Sequence, residues 1–292
     1  MQKSKIRDVA RALRARKARR IIFTDIDGTV YQWQLLIDLV LVIAKHYPNK
    51  RPIVEPLRKA INQYKKRVLS FSIVIKILIT IIPDVFKGVN KKMVKKFAAT
   101  RARNVGSRVY LFPKTLIDVA LEIVDDPWLI VAITGSPQEV ADPFCHQLGI
   151  HVAIGSFYKS DKNGLYTGVR DIDSGINKGV YVEAIAEECP EIVWEECIAL
   201  GDSETDLPMF ERCGYAVAIN PNEPLLDHIR TAEKTIRMVR CGQKSGTQIY
   251  TRDGYGLFTE HCADCTLPTD VGARFPKLPG MAEKGICICD HE

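Results

Sequence analysis

The chain has 292 residues, of which 46% are apolar and 26% charged, enough for a substantial core in an ordinary globular protein. Its net charge of +6 hides a division: residues 1–103 carry 25 Lys and Arg against 6 Asp and Glu, while residues 104–292 carry 16 against 29. The nine cysteines are an odd count, and the basic amino terminus has no apolar signal region, which argues against a disulfide-stapled secreted domain and predicts free thiols in a reducing, cytoplasmic compartment.

Residues 1–20 are rich in Arg and Lys, with Ile6, Val9, Ala10 and Leu13 at helical spacing. They predict a short basic helix whose apolar stripe docks on the domain or, alternatively, meets an anionic membrane surface or nucleic acid. Ile21-Ile22-Phe23 then reads as a short buried strand that delivers Asp25-Ile26-Asp27-Gly28-Thr29 at its carboxyl end. Two carboxylates held that close persist if a cation sits between them or if one keeps its proton, and both conditions suit phosphoryl transfer.

Leu35, Leu36, Leu39, Val40 and Ile43 keep a helical rhythm up to Pro48, and residues 53–110 also read as mostly helical with clustered lysines and arginines. The apolar run Phe71–Phe86 is broken by Lys76 and Pro83. It is shorter than the roughly 20 residues of a membrane span, so it predicts packing inside a helical subdomain. Contact of this basic region with an anionic lipid surface is a further expectation.

From Leu111 the pattern becomes α/β. A helix over Thr115–Val124 leads to a buried strand, Leu129–Ile133, with Thr134-Gly135-Ser136 at its end. A helix through Val140–Leu148, a strand at Val152–Ile154 and a hairpin over Lys159–Val169 turning at Asn163-Gly164 come next. Lys178 stands at the mouth of a helix through Glu188. The strand Cys197–Leu200 runs into Gly201-Asp202-Ser203-Glu204-Thr205-Asp206, and a last strand is expected at Ala216–Ile219. Strands alternating with helices predict an α/β, doubly wound parallel sheet with its site at the strands' carboxyl ends.

The residues collected at those ends assign roles by their chemistry. Asp25 is the candidate nucleophile, since a carboxylate can take a phosphoryl group as a mixed anhydride. Asp27 is the candidate general acid and base. The hydroxyl of Thr134 and backbone N–H groups at Gly28 and Gly135 are candidate phosphate binders beside Asp25 and Lys178. Asp25, Asp27 and Asp202 make an oxygen-only set suited to Mg²⁺, with Asp206 behind them orienting Lys178 or a metal-bound water.

This set resembles the haloacid dehalogenase superfamily, in its phosphoserine-phosphatase-like branch. Asp25 to Thr29 match the first motif, D-x-D-G-T, and Thr134 the second, a hydroxyl ending an apolar strand. Lys178 matches the third, and Gly201, Asp202 and Asp206 the fourth, G-D-x-x-x-D; the likeness runs from about Arg20 to about Ile229. The resemblance implies a Rossmann-like core (21–32 and 111–239) with a helical cap inserted at 33–110, and hydrolysis of a phosphomonoester through an aspartyl-phosphate with Mg²⁺. One departure bears on substrate. The family's phosphoserine phosphatases carry a Glu shortly after the first motif for the substrate amino group, whereas here Tyr31-Gln32-Trp33-Gln34 stand there, with no acid before Asp38. The expected substrate is therefore a small anionic or lipid-like phosphate ester other than phosphoserine.

Residues 240–292 lie outside the resemblance. Cys262 and Cys265 with Cys287 and Cys289 could bind Zn²⁺ as four thiolates, with Cys241, His261 and His291 as spare ligands, against the alternative of free thiols in a Cys-rich tail. Two other functions stay open on sequence alone: a phosphotransferase using the same residues, and a membrane- or nucleic-acid-binding protein with a vestigial core. The basic clusters lack the interleaved aromatics of a base-stacking surface, so nucleic acid is the less expected partner.

Overall fold

A computed structural model of the chain describes residues 2–103, 108–232 and 236–241, with 240, 247–251 and 254–258 as backbone only. The possible zinc ligands Cys262, Cys265, Cys287 and Cys289, like His261 and His291, lie outside the described residues.

One sheet organises the chain, with strands β1 (Arg20–Thr24), β2 (Trp128–Pro137), β3 (Val152–Ser160), β4 (Tyr166–Ile172), β5 (Ile198–Gly201), β6 (Tyr215–Ile219), β7 (Ile236–Arg240), β8 (Thr247–Thr251) and β9 (Gly254–Phe258). Their spatial order is β4-β3-β2-β1-β5-β6-β7-β8-β9. The pairs from β3 across to β7 are parallel, whereas β4, β8 and β9 join antiparallel. Strand order reverses between β1 and β5, and in doubly wound sheets the crevice at such a switch is where ligands bind. All five residues of β1 are buried, because successive side chains enter opposite cores. Ile22 joins one apolar cluster, and Ile21 and Phe23 join the other. This is the doubly wound α/β fold expected from the strand–helix alternation.

Helix α1 (Lys3–Arg16) lays Ile6, Val9, Ala10 and Leu13 into the second cluster, alongside Leu129, Tyr181 and Ile185. Its apolar stripe is thus covered by protein, and Lys3, Arg7, Arg11 and Arg14 face outward together with Ser4 and Ala15. Between β1 and β2 lie α2 (Leu35–His46), α3 (Arg51–Lys65), α4 (Phe71–Phe86) and α5 (Lys91–Ala102), followed by the helix that leads into β2. In α4, Val74, Leu78, Ile82, Val85 and Phe86 are buried at helical spacing, in one apolar cluster with Ile22, Ile130 and Leu200 of the sheet. One face of the run Phe71–Phe86 therefore packs as core while Ile73 and Ile79 stay exposed, and no helix among the described residues is long and apolar enough to cross a membrane. The remaining helices are α6 (Leu111–Glu122), α7 (Gln138–Gln147), α8 (Lys178–Glu188), α9 (Leu207–Arg212) and α10 (Glu223–Thr231). Cys145, Cys189, Cys197 and Cys213 are buried and join no disulfide among the described residues.

Three expectations need correction. β2 does not stop at Ile133: its pairing with β3 resumes at Pro137 opposite Ser156 after an irregularity, so Thr134-Gly135-Ser136 sits in a bulge within the strand. The strand at Val152 and the first arm of the hairpin are one continuous strand, β3, with the turn hydrogen bonds gathered on Asp161 and Gly164 at φ +76°. Ala216–Ile219 is not the last strand, since β7 continues the parallel sheet and β8–β9 extend it beyond residue 240.

Candidate active site

The expected residues converge at the switch between β1 and β5. Asp25 follows β1 directly, and its N–H donates to Leu200 O on β5 at 2.9 Å, which fixes the loop to the neighbouring strand. Lys178 opens α8, is 2% exposed, and donates from Nζ to Asp25 Oδ1 at 2.7 Å and to Asp206 Oδ1. Burial alone would pull the Lys178 ammonium down, but Asp206 and Asp25 outweigh it and hold its pKa above the ordinary lysine value, so it stays charged. Asp206 is fully buried and also accepts from Asp202 N at 2.9 Å and Ser203 N at 3.0 Å. The fourth motif is thereby folded into a tight turn whose acid points inward at the lysine.

Asp27 faces the other way. Its Oδ1 accepts from Leu35 N at 2.6 Å, and its Oδ2 accepts from Ser136 Oγ at 2.6 Å and Thr134 Oγ1 at 3.1 Å. Burial raises its pKa despite those donors, which favours a retained proton. Thr134 is thus turned to Asp27, and its Oγ1 also accepts from Ser136 N at 3.1 Å. The N–H of Gly28 donates to Tyr31 O at 2.8 Å, so that donor is already engaged.

What Gly28 contributes is room. At φ +95° it occupies the region that glycine favours, and a Cβ there would stand 2.1 Å from Asp202 Oδ2. The first and fourth motifs therefore touch. The Asp25 carboxyl is raised to about 7 by burial, against the pull of Lys178 and with a further push from Asp206 and Asp27. Asp202 is raised well above the ordinary value by burial, then by Asp25 and Asp206. Four carboxyl groups thus crowd one ammonium, with Asp25, Lys178 and Asp206 buried and Asp27 and Asp202 partly open.

That deficit of positive charge, with oxygen as the only donor type, fits a hard divalent cation such as Mg²⁺. Asp25 and Asp202 are the carboxylates that would hold it. No cluster of three His, Cys, Asp or Glu forms a ready-made cage among the described residues. Mg²⁺ commonly takes one or two carboxylates and completes its shell with water and substrate oxygens.

Sequence reasoning missed Ser136 and the Leu35 N–H as partners of Asp27. It also missed the use of Asp38, whose Oδ2 accepts from Tyr31 Oη at 2.6 Å and from Arg108 at 3.4 Å. The motif spacing holds no signal for these bonds. The Asp38 pairing was hinted at only by an isolated acid one helical turn inside α2.

The haloacid dehalogenase-like hydrolases match residues 22–211, and the chain belongs to that family. Over 143 residues, 48% of the chain, it is 29% identical to a protein described as a hydrolase in Mycobacterium leprae. It is 30% identical, over the same length, to a phosphoserine phosphatase of Mycobacterium tuberculosis. The matched segments are 46% and 45% of those relatives, so the chain spans just under half their length. A solved structure of a protein of unknown function from Bordetella pertussis Tohama I superposes with a TM-score of 0.55 at 17% identity, covering 73% of this chain and 96% of that one. It shares the fold.

Proposed function

We propose that the chain is a Mg²⁺-dependent phosphomonoesterase working through an aspartyl-phosphate on Asp25. The observation that carries this is the buried array in which Lys178 holds Asp25 Oδ1 while Asp27 is turned onto its own set of donors. In this reading Asp25 attacks phosphorus through a carboxylate oxygen and the bond from phosphorus to the leaving oxygen breaks. Asp27, whose pKa burial raises, gives a proton to that leaving oxygen. It then takes a proton from the water that attacks the acyl phosphate, releasing inorganic phosphate and restoring both carboxyls. Lys178 stays charged throughout and neutralises a phosphoryl oxygen, with Asp206 fixing its position. A Mg²⁺ ion on Asp25 and Asp202 would supply the remaining charge neutralisation on the phosphoryl oxygens.

Helices α2–α5, within 33–110, act as the cap in this proposal. Asp38 is committed to Tyr31 and Arg108, which supports a substrate without the ammonium of phosphoserine. Trp33, Tyr64 and Phe71 contact one another with centroids 5.2–5.9 Å apart, on the segment that follows Asp27 and on α3–α4. This aromatic cluster supports an apolar or planar leaving group. Exposed Lys59 and Lys65 on α3, Lys66 just after it, and Lys92, Lys95 and Lys96 on α5 support an anionic substrate or an anionic membrane surface nearby. The test is phosphate release from a panel of phosphate monoesters with Mg²⁺ and no added acceptor, with Asp25→Asn as control. Release by the native chain and none by the variant is expected; transfer only to an added alcohol would replace hydrolysis with phosphotransfer.

A further inference from the structure

A groove beside the phosphoryl site, reaching Leu35, whose N–H holds Asp27, opens between α2, α5 and α7. Its inner part is a cavity of about 210 Å³ walled by Leu35, Leu39, Phe97, Ala98 and Phe144. Across Val42, Phe97 and Arg101 it continues into an open trough of about 610 Å³ that reaches Leu41 and Met93. None of Asp25, Asp27, Thr134, Lys178 or Asp202 lines either part. The cause is visible in the sequence. Helix α2 is apolar on more than one face, and α5 opposes it with the small residues Ala98 and Ala102, leaving Leu41 and Val42 only half-covered.

The rim has the opposite character. Lys45, Lys96 and Arg101 are exposed, and none has a carboxylate partner among the described residues. Arg108 donates to Asp38 and to Tyr31 at 3.4 Å and stays half-exposed, with further N–H groups to offer. Asp38 is the one carboxylate lining either part, and Arg108 already neutralises it. The groove therefore combines an apolar floor with surplus positive charge along its edge.

That combination selects its occupant. A neutral apolar chain would leave the rim without counter-charge, and a cationic amphiphile would be repelled by it. A bare inorganic anion would gain nothing from the apolar floor. The geometry points to an anionic amphiphile: a carboxylate or phosphate head held by Arg101 and Arg108, with an unbranched apolar chain lying against Leu39, Val42, Phe97 and Phe144. The head could be that of a fatty acid or of a single-chain phosphate ester; the shared chemistry is an anion on an alkyl chain. Binding here does not depend on the phosphatase reading, because no catalytic residue takes part.

The test is calorimetric titration of the full chain, below micelle-forming concentrations, with dodecanoate, dodecyl phosphate, dodecyltrimethylammonium and inorganic phosphate. One saturable site for at least one anionic amphiphile is expected, with the cationic amphiphile and inorganic phosphate at least about tenfold weaker. Preference between dodecanoate and dodecyl phosphate identifies the head. Arg101→Glu, at an exposed position, should weaken binding by about tenfold or more while melting like the native chain. Val42→Trp, which narrows the passage, should weaken it as well. Equal binding of the cationic amphiphile, no binding of either anion, or full affinity in Arg101→Glu would overturn the proposal; the second result would leave the groove to a protein partner.

Discussion

Replacing Asp206 by Asn tests the electrostatic logic of the site with almost no change of shape. The native carboxylate is fully buried, takes Lys178 Nζ on Oδ1, and takes the N–H groups of Asp202 and Ser203 on Oδ2. An amide has one acceptor oxygen and one donor nitrogen, so whichever way it turns, its NH₂ faces either the ammonium or the two backbone donors. Losing a hydrogen bond to a charged partner is worth about 1.5–3 kcal/mol. Breaking a buried ion pair outright is worth about 3–5 kcal/mol. Asp25 still compensates Lys178 in the variant, which places the expected loss where those ranges meet, near 3 kcal/mol. For a chain of this size that corresponds to a melting temperature lower by roughly 6–12 °C. Lys178 and the Asp202 backbone also lose their anchor, so turnover should fall by about 100-fold, the scale expected for misplacement of roughly 1 Å. Thermal or urea unfolding of the metal-free protein reads the first number, and phosphate release with Mg²⁺ reads the second. A variant that melts with the native chain and turns over at its rate would refute the arrangement of Lys178 between two acids.

Gly28→Ala introduces a Cβ at 2.1 Å from Asp202 Oδ2 at a residue with φ +95°. The left-handed backbone alone costs about 1–2 kcal/mol, and the displaced carboxylate should raise the Mg²⁺ concentration needed for half-maximal activity; an unchanged metal requirement would contradict the contact. Excess chelator should stop phosphate release and added Mg²⁺ should restore it, whereas a full rate in chelator would remove the cation from the mechanism. His151 accepts from Ile130 N at 2.9 Å through Nδ1, and burial, with Arg16 beside it, lowers its pKa to about 4. Between about 6.5 and about 4 the unfolded chain binds this proton and the folded chain does not, so stability should fall as pH drops through that window. At about 1.4 kcal/mol per unit, discounted for a half-buried ring, the loss is on the order of 2 kcal/mol; His151→Gln should lack that slope in a pH series of urea melts.

The candidate site was legible because its signals are local. Asp25, Lys178, Asp202 and Asp206 each stand within a few residues of a strand end or helix start, and the strand–helix alternation brings those ends to one edge. Bonds that depend on register across the fold were not legible. Leu35 N reaches Asp27 only because α2 begins where the Tyr31–Gln34 segment turns back, and Ser136 does so only because β2 carries a bulge. Strands β7–β9 were missed for a different reason. Ile236, Met238 and Val239 are interleaved with arginines and lie past the last recognisable motif, where a Cys-rich tail was expected to begin. The Asp253-Gly254 pair between alternating residues was the available hairpin signal. The groove between α2 and α5 left only a faint trace, in apolar residues on the outer side of α2.

The central claim is that Asp25 carries the phosphoryl group. An acid quench during turnover of a radiolabelled phosphate ester, followed by borohydride reduction and peptide sequencing, reads it directly, because reduction of an acyl phosphate converts the aspartate to homoserine. Homoserine at position 25, absent in Asp25→Asn, is the predicted result. Phosphate release that persists in Asp25→Asn, or an acyl phosphate found at another residue, would contradict it.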